Sequence, residues 1–564
     1  MIVDIPAARY TPLMFVRIKT TPNSPRRSVQ LVEAVRDGGK VRQRIVRHIG
    51  VAIDEDELER LRQLGEYVKA KLEDERQPLL FAPEKIADQV IRVGRQGDGK
   101  HELPVDLKQI EEEQRLVTGV HEVYGEMYRL LGLDALLPRS RYRASHDALF
   151  HVVMARIANP DSKRGSVRRL EEDFAVSLPL EKVYRMMDQL DARVIERLRT
   201  RVGEASRSLL PEPVAILFFD CTTLYFETAV EDELRQHGFS KDGKHRDSQV
   251  LLALMVTREG LPIGYEVFPG ATYEGHSLVP VLQDMQRRHQ VERTVCVADR
   301  GMLSADNLDA MDKIGGEYVV GARLRKLPLA LLRQILDPNT YAPLEGSENR
   351  RVGEWEYKGR RLIVVFCPER ARKDAHERRK QVERLLDRLA RSDNPKELLS
   401  NHGAKRFIAV EGEARLTVNP EKIAEAERWD GLAGVITNLR DASVTEVMSH
   451  YHGLWQVEES FRITKHDLRV RPIWHWNPDR IRAHIAIAFM AFACVRHLAY
   501  RVAIQKRRMS PEVIRSALVH RQCSVLRCRQ SGNRYVIPSK PTPAAEQIYA
   551  TMGLPLTITP YQLA

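Results

Sequence analysis

Three apolar runs follow one another between residues 214 and 269, and they restrict the fold more than any other feature. They read VAILFFDCTTLYFE, QVLLALMVT and LPIGYEVFP, with the turn REG joining the second to the third. Apolar side chains stand next to one another in these runs instead of alternating with polar ones. Each therefore predicts a strand covered on both faces, and the REG turn makes the last two a strand-turn-strand unit. A helix over Val279 to Arg288, a strand RTVCVAD, a helix from Ser304 to Lys313 and a strand GEYVVGA follow. The fold class is α/β, built on a mixed sheet.

The pattern is interrupted over 325–430, where the strand pairs GEWEYKGRRLIVVFC and KRFIAVEGEARLTV flank a charged helix, ARKDAHERRKQVERLLDRL. It resumes with the strand GLAGVITN and an amphipathic helix. Upstream, residues 14–50 predict short strands with a hairpin closed at Gly38 and Gly39. Leu58, Leu61, Leu64, Val68 and Leu72 recur at helical spacing over Glu55 to Gln77. A polar, strand-poor segment comes next, then helical regions over 119–155 and 180–205, with the basic stretch KRGSVRRLEE starting at Lys163 between them. The last sixty residues show a short helix and the weakly strand-like NRYVIPS.

Across 564 residues the formal charge is +12 with 77 acidic side chains present. The cationic excess is thus spread over folded sequence, which suits a broad surface that meets a polyanion. Six scattered cysteines exclude a disulfide scaffold, and Cys523 and Cys528 lack a second pair to complete a zinc site. A reducing compartment is expected. The start MIVDIPAARYTP has neither the basic nor the apolar part of a signal peptide. Ile481 to Val502 is the most apolar helix, but Arg482, His484, Arg496 and His497 within it predict a buried helix and no membrane span. No G-x-x-x-x-G-K-S/T motif supports ATP hydrolysis.

Three acids stand in distinctive settings. Asp220 ends AILFFD, Asp299 ends VCVAD, and Glu458 lies in YHGLWQVEESFRITKHD. An ionised carboxylate on a buried strand is costly unless paired, hydrogen-bonded or metal-bound. For Asp299 an ordinary turn at Asp-Arg-Gly is an equally simple account. On the downstream helix Leu454, Val457, Phe461 and Leu468 face inward, whereas Tyr451, Glu458, Arg462 and Lys465 share a neighbouring face. A surface pair between Glu458 and Arg462 is the structural explanation, and periodicity alone does not separate Glu458 from Glu459. Converged, the three carboxylates would hold divalent ions, which activate water or a 3′-hydroxyl and neutralise the leaving oxygen. Arg462, Lys465 and Arg469 would then hold phosphates.

These pieces are similar to the DDE transposases of the insertion-sequence type, in the IS4-related superfamily and its IS1634-like branch. FFDCTTLYFE, CVADRGMLSADNLD, GVITN and YHGLWQVEESFRITKHDLRVRPIWHW carry the resemblance, over about half the chain. It implies an RNase H-like mixed-sheet catalytic core interrupted by a mainly β insertion. The implied order is an N-terminal region over 1–209, core over 210–325, insertion over 326–430, core again over 431–502, and a C-terminal region over 503–564. It further implies that Asp220, Asp299 and Glu458 are the catalytic, metal-binding acids for Mg2+, two ions in number, with Mn2+ able to substitute. The family's Tyr, Glu and Lys positions map onto Tyr451, Glu458 and Lys465, and Leu454 stands where the family has arginine. Tyr451 would position a terminal phosphate, and Lys465 would contact DNA near the cut. The implied partners are double-stranded terminal inverted repeats, target DNA and a second copy of the chain in the DNA-bound complex, in a bacterial cytoplasm at the nucleoid. Residues before 210 would recognise the repeats.

Overall fold

The computed structural model describes positions 14–20, 27–37, 40–52, 55, 58, 59, 61–66, 69 and 106–563, apart from 211–215, 239–245, 290–294, 302–303, 392–406, 412–414 and 506–507. The chain falls into two units, Met1–Asp88 and Gln89–Ala564. In the first, β1 (Met14–Thr20), β2 (Arg27–Asp37) and β3 (Lys40–Ala52) form an antiparallel sheet in that order. Asp37 pairs with Lys40, as a two-residue hairpin requires, while Gly38 and Gly39 themselves lie outside the described residues. The helical positions between 55 and 69 lay Leu58 and Leu61 against Val16, Val29 and Ala52. The rest of the expected helix, to Gln77, lies outside the described residues. Arg44, Arg47 and His48 on β3 stay exposed.

The second unit is organised by a nine-stranded mixed sheet. Its strands are β5 (Ile216–Tyr225), β6 (Gln249–Thr257), β7 (Pro262–Pro269), β8 (Val295–Ala298), β9 (Glu317–Gly321), β10 (Ala342–Pro343), β11 (Arg351–Tyr357), β12 (Arg360–Phe366) and β15 (Leu432–Thr437). Their order is β10-β11-β12-β15-β9-β8-β5-β6-β7, with β5, β8 and β9 mutually parallel and the other neighbours antiparallel. Both faces are covered, which is why the central runs read as continuously apolar. Phe218, Leu252 and Leu254 face one core, beneath the helices Arg139–Ala158, Ala192–Leu209 and Pro478–Gln505. Leu217, Phe219 and Ala253 face another, beneath Leu278–His289 and Ala305–Lys313. Pro478–Gln505 is long and apolar enough to cross a membrane, yet it is buried inside this unit as a core helix.

The hairpin β11–β12, which the sequence places in a separate stretch, extends the central sheet through β15. Beyond it, the helix Pro368–Arg391 meets β13 (Ile408–Glu411), β14 (Arg415–Val418) and the helix Pro420–Glu427 around a small core at Leu385, Phe407 and Ala426. The polar segment expected to lack strands contains β4 (Ile110–Val117). β4 joins β16 (Gln522–Cys528), β17 (Arg534–Pro538) and β18 (Tyr561–Leu563) in the order β18-β17-β16-β4. Its glutamates are held by Arg529 to Glu111 at 2.8 Å and Arg534 to Glu113 at 2.6 Å. The helical region expected over 119–155 is divided at Gly132, and that over 180–205 at Leu190 and Asp191.

Candidate active site

The site grows from the register of two parallel strands. Phe219 on β5 stands opposite Ala298 on β8, and the next residue on each strand is an acid. Asp220 and Asp299 therefore leave adjacent strands at the same level, where neighbouring backbones run about 5 Å apart. Asp220 is half-buried within β5, and its Oδ1 accepts the Cys221 amide at 2.7 Å. Strand alternation puts it on the face of Phe218. Asp299 sits where β8 gives way to a turn, and its Oδ1 accepts the Gly301 amide at 2.5 Å. Arg323 braces that turn, donating to the carbonyls of Arg300 at 2.9 Å and Gly301 at 3.1 Å.

The third acid comes from a helical arm laid over the same face. The arm is not the continuous helix that periodicity suggests. Val444–His452 ends at Gly453, Trp455–Arg462 begins after Leu454, and a π-helical turn, Ile463–Asp467, completes it. Leu454, Val457, Phe461 and Leu468 are buried as expected. Gly453 lies so close to the Phe218 ring that any side chain there would strike it, which seats the arm two residues from Asp220. Tyr451 ends against Gly321. Burial, then the negative charge of Asp299, raises its phenol pKa, with Glu458 acting in the same direction. Arg300 and Arg370 oppose them.

Glu458 and Glu459 have different surroundings. Glu458 is exposed, and no ion pair engages it among the described residues. The expected Glu458–Arg462 pair is absent there. Arg462 instead reaches Asp467 at 3.2 Å and Glu459 at 3.9 Å. Glu459 also faces Arg496 at 3.5 Å, and Arg496, nearly buried, donates to the Gly260 and Glu259 carbonyls of the β6–β7 turn. Lys465 is half-buried in the π-helical turn, and Arg469 is exposed with a left-handed backbone, φ 44°.

A cleft of about 800 Å³ opens beside Asp299 and Tyr451 toward the helix Pro368–Arg391. Arg300, Arg323, Arg325, Lys326 and Arg370 line it. These cations escaped the reading of the sequence, although ARLRK at 322–326 already places three of them within four residues. Among the described residues no three His, Cys, Asp or Glu side chains close into a ready-made ion site. The structure brings Asp220 and Asp299 side by side and hangs Glu458 over the same sheet face without drawing all three carboxylates together. The donors are all carboxylate oxygens, two of them level on neighbouring strands and the third with no ion pair among the described residues. That set fits a hard ion such as Mg2+ or Mn2+.

No curated protein matches the chain. Among solved structures it is similar to a piggyBac transposase synaptic complex with hairpin DNA, at 10% identity over 71% of this chain and 77% of that one, with a TM-score of 0.37. It is also similar to a Mos1 transposase paired-end complex with the left transposon end, at 15% identity over 43% of this chain and 65% of that one, with a TM-score of 0.14. Both likenesses are too weak to argue from. Family models are direct. Residues 215–494 match the transposase DDE domain, and residues 16–79 match the N-terminal domain of the IS1634 family of transposases. With its DDE domain spanning β5 to the buried helix Pro478–Gln505 and an IS1634-type domain before it, the chain belongs to the IS4-related, IS1634 family of DDE transposases.

Proposed function

We propose that this protein binds the terminal inverted repeats of an insertion sequence, cuts at the element's ends and joins the freed 3′-hydroxyl to target DNA. The observation that carries the reading is the pairing of Phe219 with Ala298, which sets Asp220 level with Asp299 inside a matched DDE domain. On this reading the sheet is an RNase H-like core, and Asp220, Asp299 and Glu458 hold magnesium, two ions in number. The bound metal would supply Lewis acidity and a water deprotonated near neutral pH. The chain's own groups do the rest. Tyr451 positions a terminal phosphate, while Lys465, Arg462 and Arg469 meet the backbone. Arg462 is itself exposed in its pairs with Asp467 and Glu459, so a phosphate can compete for it. Leu454 is core, so the family's arginine contact has no counterpart at that position. The unit Met1–Asp88, with exposed Arg44 and Arg47, reads the repeats, two copies of the protein hold the paired ends, and the work is done in the cytoplasm at the nucleoid.

The test combines purified protein, magnesium, a labelled DNA bearing the flanking inverted repeat, and an unlabelled target plasmid. End-specific cutting followed by covalent transfer of the label is the expected result. Cutting without transfer would make the protein a nuclease. Specific binding without any cut would make it a silent DNA-binding protein.

A further inference from the structure

Three basic side chains are buried where the helical arm ends. Arg156, from the helix Arg139–Ala158, is 2% exposed; Lys163, at the start of Lys163–Phe174, is 4% exposed; His484, in Pro478–Gln505, is 6% exposed. They converge on consecutive carbonyls. Arg156 Nη1 donates to Leu468 O at 3.2 Å and Arg469 O at 3.0 Å, and His484 Nε2 donates to Val470 O at 3.0 Å. That bond leaves His484 Nδ1 as an acceptor, and Lys163 Nζ donates to it at 3.3 Å. The carbonyls belong to the three residues directly after the π-helical turn that carries Lys465, the negative end of the arm.

Such a cluster is an expensive way to hold a chain. Burial drives the Lys163 amine well below its usual range, with the Arg156 guanidinium adding to the effect. Burial likewise lowers Arg156, to about 10, and Asp161 opposes it. Apolar side chains of similar volume would fill the same space without that cost but would leave the carbonyls of Leu468, Arg469 and Val470 without these donors. Residue volume therefore does not explain the cluster, whereas directed hydrogen bonds to three successive carbonyls do.

We propose that Arg156, Lys163 and His484 are positioning residues, which lock the end of the arm so that Glu458 is kept facing the Asp220 and Asp299 carboxylates and Lys465 is kept within reach of the DNA phosphate. The inference rests on the cleavage reading above. Helices that precede the DDE domain in the chain thereby become part of the cleavage machinery, acting through backbone they never share a covalent neighbourhood with.

Lys163→Met and Arg156→Met discriminate, compared with wild type for melting temperature, affinity for the labelled end, and single-turnover cleavage at saturating DNA and magnesium. The expected result is a cleavage rate at least tenfold lower, with end affinity within twofold and, for Lys163→Met, a melting temperature equal to or above wild type. Arg156→Lys should recover part of the rate, because an amine still reaches one carbonyl. Combining Arg156→Met with Lys465→Ala should cost less than the product of the two single losses, because part of the Arg156→Met effect runs through Lys465. Full cleavage by folded Arg156→Met and Lys163→Met, or multiplicative losses in the double variant, would overturn the proposal. Should Arg156→Met not fold, His484→Phe, which keeps a ring and removes the donor to Val470, decides on the same readouts. Absence of cutting by wild type would instead strike the cleavage reading itself.

Discussion

Two neighbouring glutamates have different surroundings because successive helical residues point about 100° apart. Glu459 turns toward Arg496, a buried guanidinium that ties the β6–β7 turn to the core helix, whereas Glu458 is exposed. Glu459→Ala should therefore act on stability. It strips the charge partner from Arg496 and should cost on the order of 2 kcal/mol after allowance for partial exposure, seen as a lower melting temperature with cleavage retained once folded. Glu458→Ala should do the reverse, abolishing cleavage while melting temperature and end binding stay within error. Asp220→Ala should match it. Normal cleavage by purified Glu458→Ala with magnesium would remove that residue from the chemistry. A faster Glu458→Ala than Glu459→Ala would move the third acid by one position. Nothing in the spacing separates the two glutamates, since what sets Glu459 apart is Arg496, on a helix of another layer.

The arm depends on how closely it rests on the sheet. Gly453 breaks it where it crosses Phe218, so Gly453→Ala should push it off β5. Overpacking of this kind costs about 1–3 kcal/mol, so a lower melting temperature and slower cutting should appear together. Phe218→Leu should relieve part of that loss, and a Gly453→Ala protein of unchanged stability would mean that the contact is loose. What could be read from the chain follows its physics. The strands β5, β6 and β7 were legible because burial on both faces writes itself as an unbroken apolar run. Asp220 and Asp299 were legible because a charge at the end of such a run is conspicuous. β4 was not, since IEEEQRLV gains its pairing from β16 and its charge balance from Arg529 and Arg534, about four hundred residues away. The division of the arm was hidden too, because Leu454, Val457 and Phe461 keep helical spacing straight through the break.

The whole chain carries a net charge of +12, and cations crowd the cleft beside Asp299. Binding to duplex DNA should fall at least tenfold between 50 and 200 mM salt, along a straight line in log affinity against log salt, as counterion release requires. A flat line would mean that these cations do not meet phosphate. Because Met1–Asp88 is a separate unit, its removal should leave the melting transition of the remainder in place and abolish preference for the inverted repeat over random duplex. Retained preference would assign repeat recognition to later residues. The pairing of β4 with β16 has a consequence for how the protein is made. Ile110 to Val117 leave the ribosome about four hundred residues ahead of their partner strand, Gln522 to Cys528. Until then β4 waits as a lone strand, and a product ended by a premature stop codon or cut by a protease before residue 522 never acquires that partner. Closure of this small sheet is therefore withheld from every fragment that stops short of residue 522.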